Sequence, residues 1–185
     1  MTRLSLRKSS ASFRRRSSLT SAISMCALAF ALLMPATAPA NANNGAVANI
    51  VGRTLDGKLT SLHRSLGEGK TLINFWWVNC SPCKQELPDL IAKENKHPEV
   101  KFIYVHAETN AKTKAAYLPE VVQGFLDRMG ISLNNVIIGT TKARMSAGVE
   151  LLPTTLLVNA GGQIDRVLVG FTDENTAQIA SWLAQ

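Results

Sequence analysis

Residues Thr71-Leu72-Ile73-Asn74-Phe75-Trp76-Trp77-Val78 constrain the fold more than any other stretch of the chain. They are mostly β-branched, aliphatic or aromatic, and apolar at both odd and even positions, so a strand built from them must be covered on both faces. Such a strand belongs at the centre of a sheet with a layer on each side. From Ser81 onward the pattern changes to a helical one, with Leu87, Leu90 and Ile91 on one side. Pro82 is acceptable in a first turn, and Lys93 and Lys96 lie near the far end, where cations oppose the helix dipole. Pro88 is expected to kink this helix.

The remaining elements alternate. Val51 to Leu55 and Lys58 to Leu62 flank Asp56-Gly57, which reads as an N-terminal β-hairpin because glycine accepts positive φ cheaply. Val100 to Val105 reads as a second core strand, Pro119 to Met129 as a helix closed by Gly130, and Val136 to Ile138 as a short strand. Thr141 to Gly148 reads as a short helix and Thr154 to Asn159 as a strand; Ala160-Gly161-Gly162 then turns into Ile164 to Gly170. Asp173 to Leu183 is an amphipathic helix with Ile179, Trp182 and Leu183 on one side. Strands and helices in alternation indicate an α/β layered fold, and no repeat or Pro/Gly-rich linker divides it.

The 185-residue chain carries a formal charge of +7, which would suggest an anionic partner. Six of its 20 basic residues, however, fall in the first 42 positions, where there is no Asp or Glu. The rest holds 14 basic and 13 acidic residues, a net charge of +1, so no nucleic-acid partner is expected. Those 42 positions run from a basic stretch through apolar Leu19 to Met34 into Ala36-Thr37-Ala38-Pro39-Ala40-Asn41-Ala42, the layout of a secretory signal peptide cut after Ala40 or Ala42. The expected domains are therefore 1–42, the signal, and 43–185, the folded part. An uncleaved membrane anchor is the minor alternative, because the apolar stretch falls short of the ~20 residues that span hydrocarbon. A lipid anchor at Cys26 fits less well, since Met25 stands where a small residue is wanted.

Once Cys26 leaves with the signal, only Cys80 and Cys83 remain. A loop this short constrains the unfolded chain little, so the pair is better placed for chemistry than for stability. Cys80-Ser81-Pro82-Cys83 lies where the strand hands over to the helix, and the unpaired N–H groups of a helix N-terminus favour a thiolate. Cys80, ahead of the helix, is the expected exposed nucleophile, and Cys83, in the first turn, the shielded resolving thiol. Structural zinc needs four ligands, and no second Cys pair or His-x-x-x-His is present. His63, His97 and His106 are scattered and are taken as surface or satisfied core residues. A Cu(I) metallochaperone using both thiolates is the alternative from another class; Met129 and Met145, the two methionines beyond the leader, form no cluster to support it. A scaffold that only docks proteins would have no use for the intact pair.

Together, Asn74-Phe75-Trp76, Cys80-Ser81-Pro82-Cys83, Glu86-Leu87-Pro88, Leu152-Pro153-Thr154-Thr155 and the Gly161-Gly162 turn resemble the thioredoxin superfamily, and most closely its secreted TlpA/ResA-like branch of thiol-disulfide oxidoreductases. The resemblance covers nearly all of 43–185. It implies a thioredoxin-like central mixed β-sheet flanked by helices, with the N-terminal β-hairpin and, from Glu108 to Ile138, a central insertion. It also implies that Pro153 is cis and packs beside the dithiol, with the Leu152 backbone presented to a substrate strand. Glu86 matches the acidic position beside the active site of this branch and is expected to take or return a proton. Considered without the resemblance, it reads as a first-turn carboxylate opposing the helix dipole.

Asn74 stands where thioredoxin has a buried aspartate, and an amide does not titrate, which leaves a relay to Glu86 or water. The branch usually has Trp before its first cysteine; Asn79 occupies that place. Trp76 and Trp77, adjacent on a strand, are expected to face opposite ways, which allows one of them to lie near the active-site surface. The expected substrate-facing set is Leu152, Pro153, Trp77 and Asn79. The expected function is periplasmic disulfide exchange without a bound cofactor, by a monomer. With neither His nor a cation between the cysteines, reduction of client disulfides is expected, and disulfide introduction is the alternative. The resemblance further implies clients of the cytochrome c maturation or metal-centre assembly type and a membrane thiol reductase as electron donor.

Overall fold

Leu72 and Trp76 belong to one hydrophobic cluster and Ile73 and Phe75 to another, so alternate residues of the central strand bury into opposite faces of one sheet. The computed structural model describes residues 45–185, and the predicted signal peptide lies outside them. The hairpin strands are β1 (Val51–Arg53) and β2 (Leu59–Ser61), followed by a single-turn helix α1 (Leu62–Ser65). Then come β3 (Thr71–Trp76), α2 (Ser81–Glu94), β4 (Lys101–Ala107), α3 (Pro119–Met129) and β5 (Val136–Gly139). The chain ends with α4 (Thr141–Ser146), β6 (Thr154–Val158), β7 (Ile164–Val169) and α5 (Asp173–Leu183).

The seven strands form a mixed sheet in the order β2-β1-β5-β4-β3-β6-β7. β3, β4 and β5 are parallel, joined by crossovers through α2 and α3, while β6, β7 and the hairpin run antiparallel to their neighbours. All six residues of β3 are buried, as its composition requires. Leu87 and Leu90 of α2, Val122 and Leu126 of α3, and Ile179 and Trp182 of α5 cover one face. Leu62 of α1 and Val47, Ile50 and Val149 cover the other. This is the α/β arrangement expected, hairpin and insertion included.

Local signals set several boundaries. Gly130 sits at φ 66 and closes α3 in the left-handed conformation, and Thr172 accepts from Asn175 N–H at the start of α5. α2 continues through Pro88 to Glu94. The turn of α1, absent from the sequence reading, is nucleated by Ser61, whose side chain accepts from Arg64 N–H.

Candidate active site

The β3–β4 ladder ends at the pair Trp76 and His106, and the chain leaves the sheet there. Cys80 N–H donates to Trp77 O at 3.0 Å, which turns the backbone into α2. Cys80 is the N-cap of that helix: its Sγ accepts from Cys83 N–H at 3.2 Å and its carbonyl from Lys84 N–H at 3.2 Å. A sulfur in this place meets the donors that the first turn leaves unpaired, so negative charge on it is favoured. Cys80 and Cys83 form a disulfide, their Cα atoms 5.3 Å apart. The order of access is as expected but its degree is not. Cys80 is 8% exposed and Cys83 fully buried; Cys80 packs into the apolar cluster of Trp76 and Val78, which corrects the expectation of an exposed nucleophile.

Glu86 lies one turn beyond Cys83 and is 3% exposed. Asn74 Nδ2 donates to its Oε2 at 2.8 Å and to Thr155 Oγ1 at 2.9 Å, and Thr155 Oγ1 donates to its Oε1 at 3.4 Å. Asn74 and Thr155 are cross-strand partners, so β3 and β6 together hold the carboxyl. Burial pushes its pKa up to about 7, against the two hydrogen bonds and Lys93, which lower it, and with Asp89, which raises it. The first turn of α2 contains no acidic residue, so the reading of Glu86 as a first-turn dipole partner is excluded. The buried amide at Asn74 thus anchors the titratable group.

The antiparallel pair Phe75 and Thr154 places Pro153 at the end of β3 from which the chain runs to Cys80. The Leu152–Pro153 peptide is cis. Pro153 is buried, Leu152 is half-buried against the cluster containing both cysteines, and Leu151 projects with 65% exposure. Asn79 is exposed beside Cys80. Trp77 is half-buried, and its Nε1 donates to Tyr117 Oη at 3.2 Å. Because the strand stops at Trp76, Trp77 does not take the opposite face; it packs at the margin of the same cluster, which corrects the alternation expected from sequence. Trp77, Asn79, Leu152 and Pro153 thus lie at one end of the sheet.

Two buried residues at this end have no role in the sequence reading. His106 is fully buried between Trp76 and Tyr117, at ring distances of 5.1 and 4.8 Å, and neither ring nitrogen has a hydrogen-bond partner among the described residues. It is therefore not the satisfied core histidine expected, and burial lowers its pKa to about 4. Arg144 of α4 is 5% exposed and pairs with Glu108 at 2.8 Å. No local pattern marks either residue, since their burial depends on segments distant in sequence. Among the described residues no group of three or more His, Cys, Asp or Glu side chains is placed to hold a metal ion.

No protein-family model matches the chain. The thiol-disulfide oxidoreductase ResA of Halalkalibacterium halodurans is 33% identical over 132 residues, which span 70% of this chain and 70% of that protein. The chain belongs to the ResA family. It is thus a thiol-disulfide oxidoreductase, and the Cys80–Cys83 disulfide is the redox pair that the name requires. Among solved structures, a thioredoxin-family thiol:disulfide interchange protein from Chlorobium tepidum superposes with a TM-score of 0.58 at 22% identity, covering 78% of this chain and 97% of that one. The exposed lipoprotein thioredoxin Etrx1 of Streptococcus pneumoniae superposes with a TM-score of 0.55 at 20% identity, covering 75% and 100%. Both share the thioredoxin-like fold that holds the ResA-family dithiol here.

Proposed function

We propose that this ResA-family enzyme reduces disulfides of client proteins outside the cytoplasm, in the periplasm, by exchange through Cys80 and Cys83. The observation that carries the reading is the capped sulfur: Cys80 Sγ receives the Cys83 N–H at the helix N-terminus, while Cys83 is sealed from solvent. In the reduced enzyme the Cys80 thiolate attacks a client disulfide, forming a mixed disulfide and releasing the first client sulfur as a thiolate. Cys83 gives its proton to the Glu86 carboxylate, directly or through water, and attacks Cys80 Sγ. The Cys80–Cys83 bond forms, and the second client sulfur leaves and takes up a proton. Two electrons pass to the client, and no bound cofactor is required because the sulfurs carry them.

Extracytoplasmic action is supported by the leader-like residues 1–42 and by the fold shared with an exposed lipoprotein thioredoxin. The reducing direction is supported by Ser81 and Pro82, which bring no cation between the cysteines. Electrons then come from a membrane thiol reductase, and clients of the cytochrome c maturation or metal-centre assembly type fit a reductant of this branch. Expression of Cys83→Ser in the native compartment, followed by identification of proteins disulfide-linked to Cys80, tests the role. Trapped clients are expected, along with a reduction potential below about −180 mV, the value typical of a disulfide isomerase. A more oxidising potential would overturn the direction, and an absence of trapped protein the role.

A further inference from the structure

Residues 147–153 connect α4 to β6 and end in the cis-proline. This segment has neither helix nor strand to fix its course, and its middle presents Leu151 to solvent. Its far end is tied to the sheet, Thr154 Oγ1 donating to Leu151 O and Gly170 N–H to Pro153 O, both at 2.8 Å, and its middle is held by a buried cation. Arg144 Nη1 donates to Val149 O and to Glu150 O, both at 2.7 Å. The remaining donors reach the other way, Nε to Ala107 O at 3.2 Å and Nη2 to Glu108 Oε1 at 2.8 Å.

A guanidinium removed from water is costly unless its donors are paired, and here Nε, Nη1 and Nη2 all are. Ala107 is the last residue of β4, and Glu108 opens the central insertion. Glu108 is itself fixed, since its Oε2 accepts from Thr141 Oγ1 at 2.5 Å. Thr109 and Thr141 exchange backbone-to-hydroxyl hydrogen bonds of 2.9 and 3.2 Å beside it. The rigid end of β4 is thereby tied, through one planar side chain, to carbonyls two and three residues before Leu152. A lysine carries the charge but not the fork that spans these acceptors.

The geometry points to Arg144, oriented by Glu108, as a positioning residue that fixes where Leu152 and Pro153 meet a protein substrate at the Cys80–Cys83 pair. It touches neither sulfur. The inference rests on the disulfide-exchange reading above and adds a specificity element to it. A small disulfide needs only the sulfur of Cys80, whereas a polypeptide disulfide also needs the segment beside it, so the two substrates separate positioning from chemistry.

The test compares wild type, Arg144→Lys and Glu108→Gln in the reduced form against insulin and against 5,5′-dithiobis(2-nitrobenzoate), with the reduction potential measured in glutathione buffer. Misplacement of a positioned group by ~1 Å can cost up to about 100-fold. Arg144→Lys is expected to lose about tenfold in kcat/KM with insulin, carried by KM. Its rate with the small disulfide and its equilibrium constant with glutathione are expected to stay within about twofold of wild type, as transition-state groups at the sulfur are untouched. Glu108→Gln is expected to lose less in the same direction. If Arg144→Lys does not fold, Glu108→Gln decides alone: its amide oxygen keeps an acceptor for Nη2 so that the fold is retained, while the lost charge loosens the pair that orients the guanidinium. An unchanged insulin rate, a parallel loss with both disulfides, or a shifted potential would overturn the positioning role. A wild type inert toward both disulfides would instead refute the exchange reading beneath it.

Discussion

Replacing Glu86 by Gln isolates the feature on which the proposed proton transfer depends. The carboxyl has a pKa of about 7 in the folded protein against 4.5 ordinarily, chiefly because burial penalises the anion. Between those values the folded protein keeps a proton that the unfolded chain has released. Stability is therefore fully present below pH 4.5, falls as pH rises through the window and is level above 7. At ~1.4 kcal/mol per unit, the ionised carboxylate costs about 3 kcal/mol at pH 8. Gln keeps the shape and never ionises: its oxygen accepts from Asn74 Nδ2, and its amide donates to Thr155 Oγ1.

Urea unfolding of the oxidised proteins at pH 4, 6 and 8 is the assay. Glu86→Gln is expected to match wild type near pH 4 and to exceed it by about 3 kcal/mol at pH 8. The difference between the proteins is the quantity to follow, because His106 opposes Glu86 in the wild-type profile. With its folded pKa at about 4 against 6.5, His106 makes stability rise with pH across the range where Glu86 makes it fall. A difference that is constant with pH, or largest in acid, would refute the assignment of a buried carboxyl that is hard to ionise.

His106→Leu removes two buried nitrogens that have no partner among the described residues, so a gain of about 1 kcal/mol is expected at pH 7, rising by about 3 kcal/mol towards pH 4, where the wild-type imidazole resists protonation; the same unfolding series measures it. Gly52→Ala is expected to cost about 1–3 kcal/mol by overpacking. A Cβ there would stand 2.5 Å from Ile138 O and 2.8 Å from Ile137 Cγ2, and faster amide hydrogen exchange in β1 and β2 would report the hairpin loosening from β5.

What could be read from sequence was what local chemistry decides. The two-faced apolar run gave β3, the proline and glycine around Pro119 to Met129 gave α3, and the step from strand to helix gave the dithiol its N-cap. The sequence could not show that Cys80 would be covered, because it joins an apolar cluster assembled from the sheet, α2, α3 and α5. Nor could it show Glu86 buried against Thr155, a partner 69 positions away on another strand. Arg144 is the extreme case. An arginine in a short helix reads as a surface residue until the end of β4, Glu108 and the carbonyls of Val149 and Glu150 are brought around it. Trp77 was misplaced because alternation was extended one residue past the end of the ladder.

Disulfide exchange by this enzyme requires a difference in reactivity between two sulfurs three residues apart. Timed alkylation of the reduced protein with iodoacetamide at pH 7, resolved by peptide mass spectrometry, measures it directly. Cys80 is expected to react at least about tenfold faster than Cys83, since it is both the sulfur at the helix N-cap and the less buried of the two. Equal rates at the two thiols, or a faster Cys83, would contradict it.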